Sequence, residues 1–165
     1  MCHRNWQPRR REFVVRLGLG GFLLTPLAAV LSGCEADSWP EGMAEIKWDR
    51  DTCVRCSMVI SDRRFAAELR GGPRNTVYKF DDIGCLIFWL RDKAADQPWM
   101  AEPATRMWVA DMSSKGKDIK WLDPRQAHYL GRHSPMGYNF AATAQPQAGS
   151  QDFASMREHV LAKGK

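Results

Sequence analysis

The residues of this chain best suited to chemistry crowd into Cys53-Val54-Arg55-Cys56-Ser57-Met58, which places three sulfur atoms within six residues. Thiolate and thioether are soft donors, and in combination they favour Cu(I) over hard or borderline cations. A structural zinc site normally draws four Cys or His ligands from two spaced pairs. Here there is one pair; Cys85 stands apart on an expected helix, and the spacing argues against zinc. The rival chemistry is that of the thiols themselves. A CxxC outside the cytoplasm serves as a disulfide-exchange centre or simply closes as a structural disulfide. A thioredoxin-like centre is expected at a strand-to-helix junction in a βαβ pattern, and no strand signal precedes Cys53.

Methionine adds to the soft-donor count. Residues 34–165 contain Met43, Met58, Met100, Met107, Met112, Met136 and Met156. Met107 and Met156 fall in periodic segments and read as core filler. Met58 and Met136 sit instead among turn formers, the latter in Ser134-Pro135-Met136-Gly137, where loops carry ligand groups. His133, three residues before Met136, offers an imidazole, although an exposed loop histidine is the plainer reading. Cys85 reads as a buried helix residue, and Trp89, Trp108 and Trp121 read as core.

The elements that must hold these residues follow from patterning. Residues 65–69 and 76–80 are short aromatic and β-branched runs around Gly71-Gly72-Pro73-Arg74-Asn75, a β-hairpin signal. Asp81 then caps a helix with Ile83, Leu86, Ile87 and Leu90 on one face, which runs to about Ala95 before Gln97-Pro98 stops it. Residues 106–112 read as a strand and 119–122 as a strand pairing back. A short extended piece lies at 127–130, a further strand at 138–143, and a helix at 152–161 capped by Ser150. Strands, helix, strands, helix describe an α+β fold of two small ββα-type halves, about 48–100 and 101–165. Each is too small to bury much core alone, so the two are expected to pack together.

The 165 residues carry a net charge of +5, but its origin is local. Residues 1–33 hold Arg4, Arg9, Arg10, Arg11 and Arg16 against one Glu, a net of +4, which leaves +1 for residues 34–165. A near-neutral mature domain lacks the electrostatic footprint of nucleic-acid binding. The basic start, the apolar run 14–31 and Leu31-Ser32-Gly33-Cys34 describe an export signal over residues 1–33. Its last four residues resemble a bacterial lipobox, in which Cys34 takes a lipid and becomes the first mature residue. Arg10-Arg11 with Phe13 fits a twin-arginine signal, and ordinary export remains the alternative. Gly18, Gly20, Gly21 and Pro26 make an uncleaved membrane helix a poor choice. Residues 34–47 are then a lipidated tether and 48–165 the functional domain, outside the cytoplasm. With Cys2 lost and Cys34 lipidated, Cys53, Cys56 and Cys85 remain, an odd number that leaves at least one thiol outside any intrachain disulfide.

Three stretches, read with the lipobox, resemble the NosL family. They are Cys53-Val54-Arg55-Cys56-Ser57-Met58-Val59-Ile60-Ser61-Asp62-Arg63-Arg64-Phe65-Ala66-Ala67, Tyr78-Lys79-Phe80-Asp81-Asp82-Ile83-Gly84, and Ser134-Pro135-Met136-Gly137-Tyr138-Asn139-Phe140-Ala141-Ala142. The resemblance covers most of residues 48–145. It implies a periplasmic lipoprotein of denitrifying bacteria, a Cu(I)-binding metallochaperone and not an enzyme, serving assembly of the copper sites of nitrous oxide reductase. Its Cys/Met motif falls on Cys56 and Met58 and its Met-Gly motif on Met136, with Cys53 and His133 as further possible ligands. The implied partners are the membrane transport and maturation machinery of the reductase, or the reductase itself. Relatives often carry Gly where this chain has Ser57, so a somewhat stiffer loop is expected here.

Overall fold

The structure, a computed structural model, describes residues 39–164. The expected export signal, Cys34 and the start of the expected tether lie outside the described residues.

Gly72 (φ +73°) and Asn75 (φ +50°) supply the left-handed backbone that a tight reversal needs. The chain therefore turns back on itself, and β1 (Ala67–Gly71) pairs antiparallel with β2 (Thr76–Phe80), Leu69 opposite Tyr78. The hairpin is as the sequence suggests. A Cβ on Gly72 would lie 2.7 Å from the Trp99 ring, so glycine is needed there for space as well as for φ. The other edge of β1 pairs with β3 (Arg106–Ala110), and β3 with β4 (Trp121–Leu122), giving an antiparallel sheet in the order β2-β1-β3-β4. β5 (His128–Gly131) and β6 (Phe140–Thr143) form a second, two-stranded sheet. A single parallel bridge from Asp111 to Ala142 joins the end of β3 to β6.

Helix α1 (Ile83–Lys93) follows β2 after two residues, and α2 (Phe153–Ala162) closes the chain. The fold is α+β, with a helix after each run of strands. The strands nevertheless cross the expected boundary near residue 100. β3 and β4 complete the sheet of the first half, because Met107 and Val109 can then share the apolar face of Leu69 and Phe80. That face packs with Ile83, Leu86 and Ile87 of α1, Tyr129 and Phe140 of the second sheet, and Met156 and Val160 of α2 in one core.

Three local expectations are corrected. Asp82, not Asp81, caps α1: its extended backbone lets Oδ1 accept from Gly84 N at 2.8 Å. Asp152, not Ser150, caps α2 through Ser155 N. Of the stretch 34–47 expected as a tether, the part from Trp39 on is folded against the domain. From Trp39 onward the chain packs on the far face of the sheet, where Met43 and Ile46 are buried beside Ile60 and Ala66. Trp39, Trp48 and Trp121 stack there with ring centroids 5.6–6.5 Å apart. An apolar strap gains more from that burial than from solvation, whatever its turn residues suggest.

Candidate metal centre

The Cys53–Met58 segment is a closed loop held at the end of β2. Thr52 and Val59 form an antiparallel bridge at its neck, Cys53 N donates to Met58 O at 2.8 Å, and Ser57 N donates to Cys53 O at 2.9 Å. Val54 N donates to Lys79 O at 3.0 Å, which fastens the loop to β2 one residue before that strand ends. Ser57 closes the turn with φ +62°, a left-handed conformation that costs a non-glycine residue about 1–2 kcal/mol. That is the physical sense of the glycine expected at this position in NosL relatives.

Because the loop is fastened there, its cysteines meet the β2–α1 junction. The Sγ atoms of Cys53, Cys56 and Cys85 and a carboxylate oxygen of Asp81 all lie within 4.8 Å of one another. Metal–sulfur bonds of about 2.3 Å put opposed ligand atoms about 4.6 Å apart, so the spacing suits a shared ion with little adjustment. Cys53, Cys85 and Asp81 are buried, Cys56 is half-buried, and all three sulfurs are free thiols. Cys56 Sγ donates to Asp81 Oδ1 at 3.3 Å. Asp81 Oδ2 is buried with no hydrogen-bond partner among the described residues. An orphaned carboxylate oxygen is costly, and a cation in the cluster would offset that cost.

The thiols are strongly differentiated. A hydrogen bond from Cys85, aided by nearby backbone amides, holds the Cys53 thiol down to about 7. Burial pushes Cys56 up to about 12, with neighbouring Cys53 and Asp81 adding to the rise and the Met58 backbone opposing it. Cys85, which donates to Cys53, is driven up by that bond and by burial. One buried thiolate forms readily, and the remaining protons leave when a metal replaces them.

The Met136 loop is fixed to the same junction. Asp82 caps α1 with one oxygen; with the other it accepts from Ser134 Oγ at 2.5 Å and from Met136 N at 3.2 Å. Tyr138, two residues on, accepts a 2.7 Å hydrogen bond from Arg55 Nη1 at the centre of the CxxC. The Tyr138 ring lies so close to α1 that a Cβ on Gly84 would fall 2.1 Å from it. Arg55 also stacks over Phe88, 4.6 Å from the ring centre. The Asp81–Asp82 pair thus divides its work, the first acid facing the sulfurs and the second holding the later loop.

Of the residues singled out from sequence, Cys53 and Cys56 stand in the cluster. Met58 is at the rim, 54% exposed. Met136 is half-buried against the core that also packs Cys56. His133 is exposed, and no metal-ligating group of the described residues includes it. Sequence reasoning missed Asp81 and set Cys85 aside. The available signal was a cysteine in the first turn of a helix behind an acidic pair, where the helix terminus favours negative sulfur. The argument against zinc also loses its ground, since Cys85 and Asp81 bring the donor count to four.

No protein-family model matches the chain, and no curated protein does. Among solved structures, it is similar to the copper chaperone NosL from Shewanella denitrificans, with a TM-score of 0.52. The match covers 72% of this chain and 88% of that one. The fold is NosL-like. At 17% identity the likeness is one of architecture. The NosL-like frame is what brings the CxxC loop, the start of α1 and the Met136 loop to one corner. No helix among the described residues is long and apolar enough to cross a membrane.

Proposed function

We propose that the protein is a Cu(I) carrier: exported to the periplasm, anchored by lipid on Cys34, and supplying copper for the assembly of the copper sites of nitrous oxide reductase. The observation that carries this reading is the convergence of Cys53, Cys56, Cys85 and Asp81 at a loop whose Met58 is exposed. Likeness to the fold of a copper chaperone supports it. Three thiol sulfurs, with Met58 and Met136 on the two loops fastened to the same junction, make a soft donor set, which selects Cu(I) over Zn(II) even with four donors in reach.

Cys56 is the central ligand, half-buried and joined to both the inner cysteines and the rim. Met58 and Met136 serve as neutral donors that release easily, while Cys53 adds a thiolate. The ion is cargo, and under-coordination on the outer side lets an acceptor's ligand join before one of these leaves. Among the described residues the exposed large apolar side chains are Val54 and Met58 on this loop and Val59 at its neck, and they give an acceptor something to press against. The acceptor is the transport and maturation machinery of the reductase, or the reductase itself.

The depressed Cys53 thiol beside two others favours a second reading, thiol–disulfide exchange. Anaerobic titration of the reduced chain with Cu(I) against a competing chelator, repeated with excess Zn(II), separates the readings. Tight one-to-one Cu(I) binding that Zn(II) does not displace is expected. Weak binding with rapid turnover of a dithiol substrate would instead establish exchange chemistry.

A further inference from the structure

Burial across the cluster is graded, and the donors change character along the gradient. Cys85 and Cys53 are 0% and 1% exposed, Asp81 is 2% exposed, Cys56 is half-buried, and Met58 is 54% exposed. The deep end holds sulfurs that bind as thiolates, and the rim holds a neutral thioether. Cys56 belongs to both, because its Sγ reaches Asp81 at 3.3 Å while its chain neighbours run out to Met58. Cys85 sits in the first turn of α1, at the positive end of the helix dipole, which favours negative charge.

We propose that Cys85 makes the site a two-station one. The resting ion lies in an inner station of Cys53, Cys56 and Cys85 beside Asp81, and it leaves through an outer station of Cys56, Met58 and Met136. The proposal rests on the copper reading above and deepens it. Copper stays Cu(I) throughout. Each thiol that ligates releases one proton to water, and each recovers one when the ion departs. Moving from inner to outer station exchanges two thiolates for two thioethers, so the ion is held by charge when stored and by weak neutral donors when offered. Asp81 anchors Cys56 at the deep end, and its second oxygen is buried without a hydrogen-bond partner among the described residues.

The test uses the full chain labelled with selenomethionine, reduced, and loaded with one equivalent of Cu(I) alone; copper X-ray absorption then distinguishes sulfur from selenium neighbours. The wild-type chain should show copper bound by sulfur with no selenium neighbour. Cys85→Ala should weaken Cu(I) retention against a chelator by at least about tenfold and bring selenium into the copper shell. A selenium neighbour in the wild type, or an unchanged spectrum and affinity in Cys85→Ala, would overturn the inner station and leave the carrier reading standing. Failure of the wild type to retain Cu(I) would overturn both. The wild-type spectrum decides the point even if the substitution disturbs folding.

Discussion

Two buried carboxylates lie in or just past the β1–β2 hairpin, and each has one satisfied and one orphaned oxygen. Asp81, just past the end of β2, accepts from the Cys56 thiol; Glu68, in β1, accepts from the Ala44 amide at 2.8 Å on the face covered by the N-terminal strap. Asp81 Oδ2 and Glu68 Oε2 are both buried without partners. What separates them is company. Asp81 has three sulfurs within reach of a shared ion, whereas Glu68 lies on the face packed with indoles and aliphatic side chains, opposite Trp108 and Lys79 in the sheet. Burial pushes Glu68 up to about 7, against the pull of Lys79 and Arg70 and with Asp51 adding to the rise. An orphaned acid becomes a candidate site only where other donors converge on it; elsewhere it is a stability cost.

The largest test of this contrast is Cys56→Ser, which removes the donor shared by the whole cluster. Cu(I) affinity should fall by about a hundredfold or more in chelator competition. Unchanged affinity would mean that convergence at Asp81 has no functional content. Glu68→Gln should leave copper affinity alone and act on stability instead. Glu68 has a folded-state pKa raised above its unfolded value, so its contribution to stability is fully present below about 4.5 and is lost as pH rises through about 7. The glutamine variant should therefore be more stable than wild type at pH 8, on the order of 1–2 kcal/mol by urea unfolding, and should gain nothing at pH 4.5. A gain of equal size at both pH values would remove the ionisation argument.

Asp81→Asn should show the reverse pattern, a loss of about tenfold in Cu(I) affinity, since the acid faces the ion. If it instead stabilised the chain at high pH and left copper binding intact, the two acids would be equivalent. The smallest effect belongs to Met58→Leu. Its exposed side chain makes a stability change beyond about 0.5 kcal/mol unexpected, while transfer of copper to a soft-ligand acceptor should slow in stopped flow. Equal transfer rates would take Met58 out of the hand-off.

The hairpin, both helices and most strands were legible because each rests on local period and turn chemistry. Gly72 and Asn75 mark the β1–β2 reversal, and Pro98 marks where α1 has already ended. Within the site, Cys53 and Cys56 were legible as a pair. Cys85 was not, because its partnership with Cys53 spans 32 residues and depends on the loop being fastened to Lys79, a backbone bond that no side-chain pattern encodes. The choice of Asp82 over Asp81 as cap was hidden for a similar reason: either acid can bond a helix amide, and the packing of the Ser134–Met136 loop decides between them. The strap was hidden by its composition, since Trp39 and Met43 stand among residues that read as a linker.

The left-handed corner at Ser57 bears on timing. A glycine there would let the Cys56–Met58 step sample several bends, and each would need sorting before an acceptor could engage. Serine narrows that ensemble at an energetic cost borne by the folded loop, so the ion's arrival and departure need not wait on backbone rearrangement. If copper is the cargo, its release from this chain should follow a single exponential set by ligand exchange alone, and Ser57→Gly should spread it over several phases.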